Sequence, residues 1–163
     1  MKICSLAAAV AILMTPVAAS AIAPGIGTAV KDTQFRLAQD GRDLTMADMR
    51  GQVVVLTYWM RDCSSCDAQL SILDSYYRQR HNVGLRVFAV SMEDLNDGQI
   101  NRAFRNRIIH PLSRIGAPFE MLSDLPTTYV VDRYGQVRYA GSGLLGTERL
   151  NQILVPLLRQ PQP

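Results

Sequence analysis

Two cysteines with two residues between them, Cys63 and Cys66, are the residues whose type and spacing allow covalent chemistry in this sequence. They follow a continuous β-branched and aromatic run, Val53 to Trp59, and they begin an amphipathic segment from Ser64 to Arg80. The first pattern predicts a strand covered on both faces, and the second predicts a helix. The pair would then lie at a helix N-terminus, whose partial positive charge stabilises a thiolate.

Such a pair can exchange disulfides with another molecule, because the thiolate is the species that attacks a disulfide sulfur. Two intervening residues bring Cys66 round by one helical turn, so that both sulfurs can bond. We therefore predict Cys63 to be the nucleophile. Cys66 falls on the inner helix face with Leu70 and Leu73, and it is the predicted resolving thiol.

Three other uses of the pair fit the sequence less well. A structural disulfide usually closes a longer loop, since a very short loop restrains little chain entropy. A zinc site needs two further ligands, and neither His81 nor His110 stands in a ligand pattern with the cysteines. A buried pair of inert thiols is unusual in an exported protein. The pattern therefore predicts a redox-active pair that uses no metal and no cofactor.

The composition limits what else the chain can do. A length of 163 residues favours one domain, and 48% hydrophobic with 19% charged residues is typical of a globular protein. Three cysteines are too few for a disulfide-stabilised scaffold. The net charge of +3 comes without a dense basic run, which argues against nucleic acid as a partner. With this size and one candidate site, the chain is expected to be a monomer.

The N-terminus predicts export. Lys2 precedes an uncharged stretch whose densest apolar part, Ile3 to Met14, is shorter than the about 20 residues that a membrane span needs. A basic residue, an apolar segment and small residues up to Ala21 form the pattern of a signal peptide that is cleaved after Ala21. The alternative is an uncleaved N-terminal anchor.

Cleavage at this point divides the chain into a signal peptide at residues 1–21, a linker at residues 22–34 and a domain at residues 35–160. It also removes Cys4, so the exported chain keeps a single close pair of cysteines. The predicted location is the periplasm. In such an oxidising compartment, a single closely spaced pair of cysteines favours thiol–disulfide exchange.

The remaining apolar patterns predict an α/β fold with a central mixed sheet flanked by helices. After the first helix, Gly84 is expected to take the left-handed conformation, and a strand (Leu85 to Ser91) and a helical stripe (Ile100 to Ile108) follow. Residues 112–124 are ambiguous and compatible with a short helix. The other predicted elements are a strand at Phe35–Gln39, a helical turn at Thr45–Met49, strands at Thr127–Asp132 and Val137–Ala140, and a last helix that Thr147 caps.

A proline stands at the entrance to one of these strands. Pro126 cannot donate a hydrogen bond to a sheet, and X–Pro bonds can adopt the cis form that is found at specific tight turns. On its own this is an ordinary position for proline. Together with the cysteine pair about 60 residues upstream it becomes informative.

These features together resemble the thioredoxin superfamily, and more closely the exported TlpA/ResA-type disulfide reductases, relatives of the cytochrome c maturation thioredoxins. The residues that carry the resemblance are the signal segment, Arg50-Gly51-Gln52 leading into Val53–Trp59, Cys63-x-x-Cys66, Leu125-Pro126-Thr127-Thr128 and Gly135.

The resemblance implies a thioredoxin-like fold and a function in thiol–disulfide exchange. It makes Pro126 the cis-proline beside the sulfurs, and it implies that the Leu125 backbone pairs with an incoming peptide by strand addition. Trp59 would belong to the same substrate-binding surface. The implied partners are protein disulfides or thiols, and a membrane electron donor that recycles the pair.

The sequence also departs from the family pattern. Asp62 stands where tryptophan is common before the first cysteine, and Ser65 where proline is common before the second. Thr57 and Gln69 replace an acid or asparagine and a glutamate, so they cannot accept a proton near Cys66 as carboxylates could. The redox direction is therefore open, and the resemblance favours a reductase or interchange role over an oxidase.

Two other functions are alternatives. A peroxiredoxin-like peroxidase resembles a family with threonine three residues before the reactive cysteine, where this chain has Met60. A Sco-like copper-binding assembly protein needs a histidine that completes the metal site, and His110 is the candidate.

Overall fold

Seven strands and three α-helices follow one another in residues 23–163, the part of the chain that the computed structural model describes. The helices are α1 (Ser64–Arg80), α2 (Asp97–Phe104) and α3 (Thr147–Leu158). The strands are β1 (Gln34–Leu37), β2 (Asp43–Thr45), β3 (Val53–Trp59), β4 (Leu85–Ser91), β5 (His110–Ile115), β6 (Thr127–Val131) and β7 (Val137–Ser142). The predicted signal peptide lies outside the described residues.

All the strands join one mixed sheet in the order β2-β1-β5-β4-β3-β6-β7. Strands β3, β4 and β5 pair in parallel, while β6 is antiparallel to β3 and β7 is antiparallel to β6. The mixed sheet with helices confirms the predicted fold class. Among residues 23–163, no helix combines the length and the apolar character that crossing a membrane requires.

The central strand β3 is buried along its whole length, as its continuous apolar run predicts. Its odd-numbered apolar residues face a cluster to which all three helices contribute, including Leu73, Phe104 and Leu154. Its even-numbered residues face a second cluster, which Met46 and Phe119 help to cover. The cysteine-bearing helix therefore packs on one face of the sheet, and loops and turns close the other face.

Two elements match the prediction to the residue. Helix α1 spans Ser64–Arg80 and strand β4 spans Leu85–Ser91. Gly84 between them has a φ of 91°, the left-handed conformation that glycine adopts without steric cost. These bounds could be predicted because the apolar residues change from a helical to a strand period on either side of a glycine.

Helix α2 is shorter than predicted, because the Asp74 side chain of α1 binds backbone N–H groups that would otherwise continue the helix. The buried Asp74 carboxylate accepts hydrogen bonds from the N–H groups of Ile108 (2.6 Å) and Ile109 (3.2 Å). The chain leaves the helix at Phe104 and enters β5, which overlaps the segment that the sequence left ambiguous. The inclusion of Ile108 in the helical stripe is therefore wrong.

The start of the last helix also needs correction. Gly146, not Thr147, is the N-cap, and its carbonyl accepts the N–H of Leu150 at 3.0 Å. Thr147 is the first helical residue. The threonine favoured a cap position by its type, but the adjacent glycine provides the extended backbone there.

Part of the predicted linker packs against the domain. The N–H of Gly27 donates to the carbonyl of Val137 (2.7 Å), and the N–H of Val30 donates to that of Gly135 (3.0 Å). The Val30 side chain is buried in the second apolar cluster. The chain thus makes contacts with the sheet before residue 35, where the sequence predicts the domain to begin.

His110 begins β5 level with Leu56 in the middle of β3, and it lines a pocket with Gly51 and Gly84 at the end of the sheet away from the cysteines. Its Nε2 lies 3.0 Å from the hydroxyl of Tyr77. Burial, followed by the positive charges of Arg86 and Arg42, lowers the pKa of His110, while Asp40 opposes this effect. The folded state therefore favours the neutral imidazole.

We predict that His110 makes folding pH-dependent near neutrality. The unfolded chain binds a proton at His110 as the pH falls through about 6.5, whereas the folded chain resists protonation, so the free energy of unfolding falls on acidification. Chemical denaturation between about pH 7.5 and 5.5 should show a smaller pH dependence for His110→Gln than for the wild type. The same substitution at the exposed His81 is the control, and an unchanged pH dependence in His110→Gln would contradict the assignment.

Candidate active site

The two cysteines form a disulfide at the N-terminus of α1, with their Cα atoms 5.2 Å apart. Cys63 is the N-cap residue, and its Sγ accepts the N–H of Cys66 at 3.1 Å. Cys66 is only 1% exposed, whereas Cys63 is partly exposed. An incoming sulfur can therefore reach Cys63 and is kept from Cys66 by the surrounding core.

The proline loop lies at the same edge of the sheet. Strand β6 runs antiparallel to β3, with Tyr58 opposite Thr127, so the start of β6 lies near the end of β3 where the cysteines follow. The Leu125–Pro126 peptide bond is cis, as the resemblance implies. Leu125 and Cys63 both pack against the helix-side cluster. The topology thus brings together the two motifs that the sequence separates by about 60 residues.

Hydrogen bonds within and around the proline loop fix its shape. The Thr127 hydroxyl donates to the carbonyl of Asp124 (2.7 Å), and the N–H of Gly143 donates to the carbonyl of Pro126 (2.8 Å). The N–H of Leu125 donates to the Asp124 carboxylate at 2.8 Å. In the disulfide form, the Asp124 carboxylate therefore binds the backbone of Leu125, which the resemblance assigns to an incoming peptide.

A neutral pair lies in the sheet on the side that α1 covers. The hydroxyls of Thr57 and Thr128 are 3.3 Å apart, and both side chains are buried. Thr57 alternates with Val55 and Trp59, which face the cluster that contains Cys66. The position at which related proteins often place an acid or asparagine thus holds a hydroxyl.

Gln69 links α1 to the loop before α3. Its Oε1 accepts the N–H of Leu145 at 2.6 Å, its Nε2 lies 3.5 Å from the Leu145 carbonyl, and its side chain is fully buried. The same loop reaches the proline loop through the Gly143–Pro126 hydrogen bond. Gln69 therefore serves as a neutral clamp between the cysteine helix and the proline loop, a role that its sequence position did not reveal.

Trp59 lies in the core, as the prediction of a strand covered on both faces requires. Its side chain is 3% exposed, and its ring packs edge-on against Phe104 at a centroid distance of 5.1 Å. This leaves almost no indole surface for a peptide on the outer face. The assignment of Trp59 to the exposed substrate-binding surface is therefore corrected to a place in the core beside the cysteines.

The arginine before the cysteines is already paired. The Arg61 backbone N–H and guanidinium both donate to Glu93, at 2.7 and 2.9 Å, and the backbone bond is the main cause that holds the pKa of Glu93 below its usual value. Asp62 is exposed. The positive charge of Arg61, which would favour a Cys63 thiolate, is therefore paired with Glu93. The Asp62 carboxylate, next to Cys63 in sequence, disfavours the thiolate.

The geometry does not support the two alternative functions. His110 lines a pocket at the end of the sheet away from the cysteines and is bonded to Tyr77, so it cannot complete a metal site with the cysteines. Within residues 23–163, no group of three or more potential metal ligands comes together. Met60 supplies no hydroxyl where a peroxidase would have threonine.

A disulfide in a Cys-x-x-Cys turn, at the same end of a mixed sheet as a cis-proline, defines a thioredoxin-like protein of the thiol–disulfide exchange class. The chain belongs to the AhpC/TSA family, whose model matches residues 26–149.

Relatives within this class are thiol-disulfide oxidoreductases. The chain is 24% identical over 136 residues to thiol-disulfide oxidoreductase ResA of Oceanobacillus iheyensis, an alignment that covers 79% of this chain and 71% of the relative. It is 25% identical to the ResA of Geobacillus thermodenitrificans over 120 residues, which is 71% of this chain and 68% of the relative.

Solved structures show the same fold. A secreted thiol-disulfide isomerase from Corynebacterium glutamicum superposes with a TM-score of 0.69 at 15% identity, covering 81% of this chain and 86% of that one. The thioredoxin domain of a thiol-disulfide oxidoreductase from Bacteroides vulgatus gives 0.63 at 15% identity, covering 82% and 98%. These likenesses establish the thioredoxin-like fold.

We predict that Gln69→Ala lowers the free energy of unfolding by about 1–3 kcal/mol, because it leaves the buried Leu145 N–H without an acceptor. Gln69→Glu should behave differently. Its second oxygen faces the Leu145 carbonyl and must be protonated, so its folded pKa rises and stability is lost as the pH increases through that value. Urea denaturation at several pH values measures both effects.

The matched control for these variants is Gln79→Ala on the exposed side of the same helix. It removes an equivalent side chain without a buried partner and should change stability by less than about 0.5 kcal/mol. Equal losses at the two positions would show that Gln69 does not act as a clamp.

Proposed function

We propose that the chain is an exported thiol–disulfide oxidoreductase that reduces or interchanges disulfides in other proteins. The observation that carries the proposal is the asymmetry of the cysteine pair, with Cys63 accessible at the helix N-terminus and Cys66 buried behind it. A structural disulfide has no use for this asymmetry, whereas a two-step exchange requires one sulfur that partners reach and one that they do not.

In the reducing direction the reaction starts from the dithiol. The Cys63 thiolate attacks one sulfur of the substrate disulfide, forming a mixed disulfide and releasing the other substrate sulfur as a thiolate, which takes up a proton. Cys66 then loses its proton and attacks Cys63 Sγ, which frees the second substrate thiol. Two electrons pass to the substrate, and the protein is left with the Cys63–Cys66 disulfide that the structure contains.

The N-terminus of α1 supports the first step. The N–H of Cys66 already donates to Cys63 Sγ, and this donor and the helix dipole stabilise negative charge on that sulfur. For Cys66 the surroundings are neutral, since Thr57 and Gln69 stand at the positions that carboxylates often occupy. The proton of Cys66 must therefore pass to water or to the departing substrate thiolate.

Leu125 and Pro126 are the proposed substrate-binding residues. An extended peptide that adds to the proline loop would pair with the Leu125 backbone and bring its sulfur to Cys63. Its carbonyl would compete with the Asp124 carboxylate for the Leu125 N–H. Docking therefore involves an exchange of hydrogen bonds, and it orients the peptide along the proline loop that precedes β6.

The cellular setting follows from the N-terminal pattern. Residues 1–21 would direct export to the periplasm, and residues 22–34 would connect to the domain. The oxidised pair then needs a source of two electrons, for which a membrane electron donor is the proposed partner. The protein would work as a monomer, because one site is complete within one chain.

Insulin reduction by the mature chain, with dithiothreitol as electron source, tests the catalytic claim. We expect Cys63→Ser to lower the rate to the uncatalysed background, because the attacking sulfur is lost. Reduced Cys66→Ser, mixed with insulin after removal of dithiothreitol, should instead accumulate a mixed disulfide between Cys63 and the substrate, visible on a non-reducing gel. Wild-type activity no higher than that of Cys63→Ser would overturn the proposal. Titration of the cysteine pair against glutathione gives its redox potential, and this potential decides whether the protein reduces or oxidises its substrates.

A further inference from the structure

An open pocket lies at the end of the sheet away from the cysteines, and the exchange reaction does not use it. Its volume is about 790 Å³, within the range of about 300–1,000 Å³ that is usual for small-molecule sites. In residues 23–163, no aspartate or glutamate lines it. Most of its walls are polar or basic side chains: Arg50, Gln52, Tyr77, His81, Asn82, Arg86, His110 and Gln162. We call this cavity the basic pocket.

A buried arginine lies directly behind the wall of the basic pocket. Arg133 is 4% exposed, and its guanidinium donates to three backbone carbonyls, including that of Gly51, which lines the pocket. A Cβ atom added at Gly84, in the same wall, would lie 3.0 Å from Arg133 Nη1. The carbonyl acceptors are all neutral. Because an ionised group is costly to bury without a partner of opposite charge, this wall favours a nearby anion.

Two further arginines line the basic pocket itself. Arg50 is exposed, whereas Arg86 is partly buried and donates to the carbonyl of His81 at 3.1 Å. In residues 23–163, no carboxyl group makes a salt bridge with these two arginines or with Arg133, that of Pro163 included. The three guanidinium groups are therefore not neutralised by acidic side chains.

The C-terminal ends of two helices offset part of this positive charge. The carbonyl of His81, the C-cap of α1, accepts from Arg86, and the carbonyl of Leu158, the last residue of α3, accepts from Arg133. A helix C-terminus carries about half an elementary negative charge, so the two ends together offset about one of the three arginine charges. About two positive charges remain, which matches the charge of a phosphate monoester.

His110 reports the positive potential in the basic pocket. Burial and then the charges of Arg86 and Arg42 hold the pKa of His110 below its usual value. The Asp40 carboxylate opposes them, but it is itself paired with Arg42 at 2.6 Å. An anion bound in the pocket would offset the positive charges and raise the pKa of His110.

The basic pocket also holds an unpaired hydrogen-bond acceptor. The Oε1 atom of Gln52 is buried and has no hydrogen-bond partner in the described residues. Buried polar atoms are usually paired, and an unpaired one costs about 1–3 kcal/mol. A ligand that carries a hydroxyl group would donate to this oxygen.

We propose that the basic pocket binds a phosphate-bearing anion that also carries hydroxyl groups, the chemistry of glycerol phosphate. Arg50 and Arg86 bind the phosphate, since guanidinium groups match its oxygens in a bidentate geometry. Gln52 accepts a hydrogen bond from a hydroxyl of the ligand. The same group occurs in free phosphate esters and in phospholipid headgroups. The site is separate from the cysteines, and the proposal does not depend on the exchange reaction.

Calorimetric titration of the mature chain with glycerol 3-phosphate tests the proposal. We expect saturable binding that weakens as the salt concentration rises. Arg50→Gln should raise Kd by roughly ten-fold, because a hydrogen bond between charged groups is lost, and Arg50→Lys should raise it less. The matched control is Arg105→Gln, which removes an exposed arginine that lies outside the pocket and should leave Kd unchanged.

NMR titration of the His110 imidazole locates the bound anion. Saturating glycerol 3-phosphate should raise the pKa of His110, because the anion offsets the charges of Arg86 and Arg42. Binding with no change in this pKa would place the anion elsewhere and overturn the proposal. So would an equal loss of affinity in Arg50→Gln and Arg105→Gln, since that result would show only attraction to the net positive charge of the chain.

Lipid vesicles distinguish the two sources of the ligand. Cosedimentation with phosphatidylglycerol vesicles but not with phosphatidylcholine vesicles, weakened by Arg50→Gln, would support a lipid headgroup. Binding of glycerol 3-phosphate without cosedimentation would support a soluble phosphate ester. Absence of saturable binding in both arms would overturn the proposal. Because a double variant with serine at both cysteine positions should bind as the wild type does, failure of insulin reduction would overturn the proposed function alone.

Discussion

The antiparallel pairing of β6 with β3 is the constraint on which the site depends. It sets Thr128 opposite Thr57 and Thr127 opposite Tyr58, and so fixes the start of β6 against the end of β3. The cysteine turn continues from one strand and the proline loop precedes the other. Because both strands are buried throughout, a shift of register by one residue would turn every side chain to the wrong face. The core thereby holds two distant segments at one edge with little freedom.

Neutral groups replace charged ones where the site meets the core. Thr57 and Gln69 make hydrogen bonds that suit a hydroxyl and an amide, and Gln69 uses both of its polar atoms on Leu145. A carboxylate at either position would be costly to bury unless it were paired or protonated. The chain therefore gains a rigid connection between α1 and the proline loop, and it gives up a buried proton acceptor for Cys66. Reactivity at Cys66 then depends on what approaches from outside.

The parts of the fold that the sequence predicts are those in which local pattern and tertiary packing agree. Helix α1 and strand β4 have clear periods and a glycine between them, and their bounds follow. Strand β5 has no such pattern, because Pro111 interrupts it, and the Asp74 carboxylate that ends the preceding segment is more than 30 residues away in sequence. The cysteines and the proline were identifiable by type and spacing. The clamp at Gln69 depends on long-range contacts, and only the structure reveals it.

Charge is distributed unevenly over the molecule, and this bears on how the thiolate is stabilised. Arginine side chains elsewhere serve the fold, as Arg133 does by donating to the carbonyls of Gly51, Val83 and Leu158. Next to the cysteines, the exposed Asp62 carboxylate disfavours a negative sulfur at Cys63. The Cys66 N–H and the N-terminus of α1 act in the opposite direction, so the stability of a Cys63 thiolate depends on the helix N-terminus and not on a neighbouring arginine.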